Sequence, residues 1–301
     1  MILLAIVEYA ILASTFTLAK VAVGHADPLF LTGVRMVASA PVMFLVHYWQ
    51  GESSFTIERE DLGRFFQASL FHIFLPFACE FWALQYVSSA KTAITYSLTP
   101  FIAAALSYVL LKKTLSVKQM LGLCVGLLGL MPIFFSGDEV SFDAGEFLHV
   151  SVPEVVLLLA VISASYAWFV VSDLMQRGYG ISLINGIAMF FGGIFSLVAW
   201  YFISGDQMPI KGSVASFLFW TAVLIVVANV ISFNLYGWLL RHLSITFMSA
   251  LGFLCPIFAS LYGVVLLKEN LGPSHVIALL MVVFGLWLFY RDEWEKGLNT
   301  L

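Results

Sequence analysis

Residues 109 to 116 read VLLKKTLS, and residues 265 to 272, which lie 156 positions later, read VLLKENLG. Each octet ends an apolar run that has a proline near its start, Pro100 in the first run and Pro256 in the second. The same offset of 156 aligns identical residues inside and outside the octets, namely Trp82 with Trp238, Leu84 with Leu240, Ser88 with Ser244, Lys112 with Lys268, Leu115 with Leu271, and Gly129 with Gly285. Leucine-rich helices resemble one another by chance, but chance does not hold proline, lysine, tryptophan and glycine in one register. The sequence therefore indicates an internal duplication.

The composition of the chain is typical of a membrane protein. Of its 301 residues, 61% are hydrophobic and only 11% are charged, whereas a soluble domain carries roughly 25% charged residues. The net charge is only −4 and no basic stripe is present, so the sequence argues against a nucleic-acid partner. The three cysteines lie within apolar runs and have neither disulfide nor metal-site spacing, at Cys79, Cys124 and Cys255.

The apolar runs predict ten membrane-spanning helices. Their limits are 2 to 23, 28 to 49, 65 to 88, 91 to 112, 117 to 136, 152 to 175, 182 to 204, 213 to 239, 244 to 267 and 273 to 291. Each run has roughly the 20 residues that a helix needs to cross hydrocarbon. Continuous rather than alternating apolar character favours helices over a β-barrel. The first run carries Glu8 and has no basic segment before it, so it reads as a retained span and not as a cleaved signal peptide.

Five helices per copy make the two copies inverted, because an odd number of crossings brings the second copy into the membrane from the opposite side. The predicted fold is therefore an all-α integral membrane protein with ten transmembrane helices in two inverted five-helix repeats. Residues 1–136 form the first repeat, 137–151 an outer connector, 152–291 the second repeat and 292–301 a cytoplasmic tail. Inverted repeats are the architecture of many secondary transporters.

The distribution of lysine and arginine predicts that both termini lie in the cytoplasm. With that orientation, the inner segments hold nine basic residues, namely Arg59, Arg64, Lys112, Lys113, Lys118, Arg177, Arg241, Arg291 and Lys296. The outer connectors hold four, namely Lys20, Lys91, Lys211 and Lys268. An excess of basic residues on the inner side is the usual arrangement in membrane proteins.

These features resemble the EamA branch of the drug/metabolite transporter superfamily over almost the whole chain. The resemblance rests on the ten helices in two halves, on SLTPF at 97 to 101 and FLCPI at 253 to 257, on the LLKK and LLKE endings, and on Gly122, Gly126 and Gly129. Arg35 matches an arginine that is often found in the family's second helix. The chain departs from the family pattern where Lys113 replaces an acid that Glu269 keeps, and where Leu12 replaces a tryptophan.

Ionisable side chains within the predicted spans are the first candidates for a substrate site. Each costs at least ~2.5 to 3.5 kcal/mol in mid-bilayer, so such residues are usually functional or paired. The candidates are Glu8, Arg35, His72, Glu80 and, nearer a helix end, Asp173. Structural roles remain open at this point: Arg35 pairs with Glu8 or Glu80, His72 is a packing residue, or Asp173 reaches cytoplasmic water.

Helical spacing adds polar and aromatic residues to this set. Residues three, four or seven positions apart share a helix face, which is the spacing of Glu8 with Thr15 and of Asn229, Ser232 and Tyr236. Such stripes also serve as contacts between helices, but the resemblance implies that these helices surround a central cavity. The predicted substrate-binding residues are Glu8, Thr15, Arg35, His72, Glu80, Tyr96, Thr99, Tyr166, Trp168, Asn229, Ser232 and Tyr236.

Acids, one arginine and aromatic rings suit a ligand that has an amine, a carboxylate and a flat ring. Family members move amino acids, nucleotide-linked metabolites, drugs and S-adenosylmethionine. The sequence therefore predicts a secondary transporter of an amino-acid-like or adenosyl metabolite, working by exchange or with protons and requiring no cofactor. We expect it in the bacterial inner membrane as a monomer or homodimer.

Three alternatives stay open: a drug or metabolite exporter of the same family, a membrane sensor that does not transport, and an integral-membrane enzyme. The last is disfavoured because the chain has neither an H-E-x-x-H nor a G-x-S-x-G motif. The lack of a Gly-rich phosphate loop argues against direct ATP drive.

Overall fold

The computed structural model describes residues 1–51, 56–87, 92, 95–134, 152–205, 208–262 and 280–289. The main helices in these ranges are labelled α1 (Ile2–Val23), α2 (Pro28–Trp49), α3 (Arg59–Ala83), α4 (Thr99–Leu111), α5 (Val117–Phe134), α6 (Val152–Gln176), α7 (Ile181–Ser204), α8 (Val214–Leu239), α9 (Ile245–Ala250, continued through Leu251–Phe253 and Leu254–Tyr262) and α10 (Leu280–Phe289). Within the same ranges, the β-structure is limited to one bridge between Ala26 and Ile210.

Six of these helices, α1, α2, α3, α6, α7 and α8, are long and apolar enough to cross a membrane. The other four contain shorter apolar stretches of 10 to 17 residues. The prediction of an all-helical membrane protein is confirmed for the described residues. The second octet at 265 to 272, the connector 137–151 and the tail 292–301 fall outside the described ranges.

Local sequence explains where individual helices begin and end. The Asp27 carboxylate accepts hydrogen bonds from the backbone N–H groups of Leu29 (2.9 Å) and Phe30 (3.2 Å), and Pro28 occupies the first turn of α2. These are the preferred residues for an N-cap and for the position that follows it. In the first octet, α4 ends at Leu111 because Lys112 adopts a left-handed conformation with φ of 56°.

Two helices contain π-helical turns at equivalent positions in the predicted duplication. Residues Ser69–Phe74 are π-helical within α3, and residues Ile225–Ser232 are π-helical within α8. The two segments begin 156 positions apart. Side chains bond to carbonyl groups in these turns, since Ser163 Oγ donates to Phe71 O (3.0 Å) and Asn234 Nδ2 donates to Val230 O (2.7 Å). Such turns are rare and occur mostly at functional sites.

Glycine allows the last helices of the two sequence halves to cross closely. A Cβ added to Gly122 of α5 would lie 2.6 Å from the backbone oxygen of Gly285 in α10, and a Cβ added to Gly285 would lie 2.6 Å from the oxygen of Gly122. No side chain fits at that distance from a backbone atom. The glycines of α5 therefore serve the close packing of helices that small residues permit in membranes.

A charged cluster connects the start of α3 with the end of α6. Arg177 Nη1 lies 2.9 Å from Asp61 Oδ1 and Arg177 Nε lies 3.1 Å from Asp173 Oδ2, while Arg64 pairs with the same carboxylate of Asp173. Tyr179 donates a hydrogen bond of 2.8 Å to Asp61. Asp173 is thus half-exposed and pairs with Arg64 and Arg177, a structural role that the sequence analysis did not predict.

Candidate functional site

A cavity with a volume of about 110 Å³ lies among seven helices, α1, α2, α3, α4, α6, α8 and α9. That volume holds several water molecules, since one needs roughly 10 to 15 Å³. Ten of the twelve predicted binding residues line it, namely Glu8, Thr15, Arg35, His72, Glu80, Tyr96, Thr99, Trp168, Ser232 and Tyr236. The cavity is mostly apolar, with a few polar groups placed around its wall.

One part of the cavity, which we call the Glu8 end, consists of Glu8, Tyr9, Trp168, Ser232 and Tyr236. Glu8 is fully buried, its Oε1 accepts a hydrogen bond from the Ser232 hydroxyl, and its Oε2 is buried without a hydrogen-bond partner. The rings of Trp168 and Tyr236 stack with centroids 4.1 Å apart, and Tyr9 meets Tyr236 edge-on at 6.2 Å. A buried acid thus shares this end with three aromatic rings.

The other part, which we call the Arg35 end, consists of Arg35, Phe77, Glu80, Phe81 and Tyr96. The Arg35 guanidinium lies over the rings of Phe77 (4.5 Å) and Phe81 (4.9 Å). Its Nε and Nη2 atoms are buried without a hydrogen-bond partner. A bidentate ion pair with an acid would occupy these atoms, so the guanidinium keeps hydrogen-bonding capacity for a ligand. Glu80 accepts a hydrogen bond of 2.6 Å from the Tyr96 hydroxyl.

His72, which lies in the first half of the sequence, touches two rings that belong to the second half. Its ring stacks on Phe233 with centroids 4.9 Å apart and meets Trp168 edge-on at 4.6 Å. Its Nε2 atom is buried without a hydrogen-bond partner. Asn185 interacts with the same imidazole, so His72 fills a packing position on the wall of the cavity.

Two predicted binding residues do not line the cavity. Tyr166 donates to Gln67 Oε1 (2.8 Å), and its ring packs edge-on against Phe71, because it is two positions from Trp168 and so faces another direction on α6. Asn229 donates to Ser39 Oγ (2.7 Å). The spacing argument assumed an α-helix at Asn229, but this residue lies in the π-helical turn, where residues three apart no longer share a face.

The two sequence halves contribute to the cavity at equivalent positions. Nine pairs of lining residues are separated by the offset of 156, namely Glu8 and Ala164, Tyr9 and Ser165, Leu12 and Trp168, His72 and Ala228, Pro76 and Ser232, Phe77 and Phe233, Glu80 and Tyr236, Tyr96 and Gly252, and Thr99 and Cys255. Only Phe77 and Phe233 are identical. The positions are repeated, whereas the chemistry differs at eight of the nine.

Several cavity residues were not anticipated from the sequence. Tyr9, Phe77, Phe81 and Phe233 are aromatic residues in aromatic-rich helices, and nothing in their local spacing separates a cavity ring from a lipid-facing one. The duplication could have found two of them, because Phe77 and Phe233 are identical at the offset of 156.

Comparison with known proteins identifies a family. The model of the EamA-like transporter family matches residues 1–135 and 153–291. A solved crystal structure superposes with a TM-score of 0.71 over 95% of this chain and 93% of its own. At 17% identity that likeness shows the fold alone.

Curated relatives cover nearly the full length. The S-adenosylmethionine/S-adenosylhomocysteine transporter of Chlamydia muridarum (strain MoPn / Nigg) is 34% identical over 95% of this chain and 90% of its own length. The protein of the same name from Chlamydia trachomatis serovar L2 (strain ATCC VR-902B / DSM 19102 / 434/Bu) is 32% identical over 95% and 87%. An uncharacterized transporter of Bacillus subtilis (strain 168), YoaV, is 22% identical over 91% of each chain.

Proposed function

Because the chain belongs to the EamA-like transporter family, we propose that it carries S-adenosylmethionine and S-adenosylhomocysteine, or a close adenosyl relative, across a membrane by alternating access. The names of the chlamydial relatives support this substrate class. The observation that carries the proposal is the Arg35 guanidinium, which has two unpartnered buried nitrogens and lines the same cavity as Glu8 and Glu80. One cavity thus offers a group for an anion and groups for a cation.

This arrangement of charges suits the amino-acid part of an adenosyl metabolite. Both proposed substrates carry an α-carboxylate, an α-ammonium and an adenine. The guanidinium fork of Arg35 can bind a carboxylate through two parallel hydrogen bonds, and Glu80 can accept hydrogen bonds from an ammonium. The rings of Phe77 and Phe233 provide apolar surfaces for the flat purine. A bare sugar phosphate would instead require several basic residues.

We also propose that the ten helices are two inverted five-helix repeats, residues 1–136 and 152–291, with both termini cytoplasmic. Three structural features support the repeat itself: the nine lining pairs at one offset, the π-helical turns that begin at the same offset, and the reciprocal contact of Gly122 with Gly285. The cytoplasmic termini follow from the distribution of lysine and arginine. Halves of this kind can exchange conformations, which opens one central site alternately to each side. The chain is a multi-pass integral membrane protein, and we place it in the bacterial inner membrane.

Transport by the purified protein in liposomes tests this function. The substrates are labelled S-adenosylmethionine and S-adenosylhomocysteine, and an amino acid, a purine and a nucleotide sugar serve as controls for specificity. We expect saturable uptake of the two adenosyl compounds alone, with or without a proton gradient according to the mode of coupling. No saturable flux of either compound, by protein shown to be folded, would contradict the proposal.

A further inference from the structure

We infer that the Glu8 end is a charge-selective subsite that distinguishes a sulfonium from a neutral thioether, and so sets the preference between S-adenosylmethionine and S-adenosylhomocysteine. The inference rests on the proposed function and adds a specificity determinant to it. The two metabolites differ by one methyl group and one positive charge at sulfur. A site that tells them apart must therefore respond to that charge.

The Glu8 carboxyl group supplies the first half of such a site, because a cationic ligand beside it would favour its ionised form. The carboxyl group is fully buried among apolar helices, Ser232 holds its Oε1 atom, and its Oε2 atom has no hydrogen-bond partner. A buried anion within a membrane is costly unless it is paired. A cationic ligand in the cavity would offset this cost, whereas a neutral ligand would not.

Three aromatic rings supply the second half. Trp168 and Tyr236 stack at 4.1 Å, and Tyr9 stands edge-on to Tyr236 at 6.2 Å. Tyr236 lies one helical turn beyond Ser232, the residue that holds Glu8. Aromatic rings attract cations that cannot donate hydrogen bonds, such as quaternary ammonium groups, through their faces. Because Trp168 and Tyr236 stack on each other, a cation would meet the faces that point away from this stack. A sulfonium has the same character, because it is charged and carries no proton.

The Arg35 end recognises what the two metabolites share. Arg35 and Glu80 are suited to the α-carboxylate and the α-ammonium, which are present whether or not sulfur is methylated. Arg35 contacts Phe77 and Phe81, whereas Glu8 is held by Ser232, one turn before Tyr236 on α8. Substitutions in the two parts should therefore have separable effects, with both substrates affected at the Arg35 end and one substrate at the Glu8 end.

The test compares transport of the two labelled compounds by full-length wild type, Glu8→Gln and Glu80→Gln in liposomes. Glutamine keeps the size of Glu8 and an oxygen that accepts from Ser232, while it removes the ability to ionise. We expect Glu8→Gln to raise the apparent KM for S-adenosylmethionine about tenfold and to leave that for S-adenosylhomocysteine within about twofold. Glu80→Gln is the matched control and should raise both KM values together.

A second pair of variants tests the aromatic half independently, should Glu8→Gln fail to fold. Trp168→Leu introduces the residue found at the equivalent position of the first half, Leu12, and should raise the apparent KM for S-adenosylmethionine alone by about fivefold. Trp168→Phe keeps a ring and should change this KM by less than about twofold. Equal weakening of both compounds by Glu8→Gln and Trp168→Leu, or no effect of either, would overturn the charge-selective subsite while leaving transport established. Wild type that moves neither compound would overturn the proposed function, and this inference with it.

Discussion

Helices α3 and α8 contribute to one cavity with the same backbone feature and different side chains. Both contain π-helical turns that begin 156 residues apart, and both place a phenylalanine, Phe77 or Phe233, on the cavity at that offset. One turn further along, α3 presents Glu80 and α8 presents Tyr236. The comparison teaches that the two helices share a backbone feature at the offset of 156, while the side chains that they place on the cavity differ.

This division assigns different tasks to the shared and the divergent features. In the proposed inverted repeat, irregular helical turns at the same place in each half would allow both halves to bend alike, as symmetric exchange between two states requires. The divergent residues make the two parts of the cavity chemically different, so we expect a ligand with unlike ends to bind in one orientation. The shared π-helical turns would thus serve movement, and the differing cavity residues would serve specificity.

The largest effect should come from the divergent feature at the Arg35 end. Arg35→Gln removes the only arginine among the cavity-lining residues described here, and loss of a buried charged partner costs a carboxylate ligand several kcal/mol. We expect uptake of both adenosyl compounds at low concentration to fall about 100-fold.

Arg241→Gln provides the matched control for this prediction. Arg241 lies on an exposed turn between α8 and α9, so the same substitution there should leave uptake within about twofold. Similar uptake by wild type and by folded Arg35→Gln protein would show that the divergent residues at this end do not bind the ligand.

Close packing of the two halves is tested by substitution on each side of one contact. Gly122→Val and Gly285→Val both place atoms against the partner's backbone, where an added Cβ would lie 2.6 Å from an oxygen. Each should lower the melting temperature of the detergent-purified protein by several degrees, by destabilising it about 1 to 3 kcal/mol. Gly63→Val is the control, because nothing lies within 4 Å of its Cβ position. Unequal losses from the two glycine variants would count against a reciprocal contact.

The smallest effect is expected at Pro76, where the two halves carry different residues but share a π-helical turn. Pro76 follows the π-helical turn of α3, and its missing N–H would explain that turn locally. However, α8 has Ser232 at the equivalent position and is π-helical without a proline. Pro76→Ser should therefore retain the turn and keep the maximal transport rate within about threefold.

The outcome of Pro76→Ser decides between a shared and a local cause of the π-helical turn. Phe71→Leu, a change on the same turn that does not alter the backbone, controls for the effect of substitution in this region. A folded Pro76→Ser protein with normal substrate affinity but no exchange would show that α3 depends on its proline and that the two helices are not equivalent.

Much of the cavity could be predicted from the sequence because charge and spacing are local properties. Glu8, Arg35 and Glu80 stand out as charged residues in apolar helices. Thr15 and Ser232 are predicted because they share helix faces with Glu8 and Tyr236. Asn229 could not be placed correctly, because the π-helical turn shifts the faces of α8 and no proline announces it. Tyr9 and Phe81 give no polar indication. Their place depends on how helices distant in sequence pack together, which spacing within one helix does not determine.

The most direct test of the central claim is exchange through one site that is open to either side in turn. Liposomes that contain the protein are loaded with labelled S-adenosylhomocysteine, and its efflux is followed after unlabelled S-adenosylmethionine is added outside. We predict that external S-adenosylmethionine accelerates efflux in a saturable manner and that a nucleotide sugar does not. Efflux at the same rate with and without an external adenosyl compound would contradict exchange at a single alternating site.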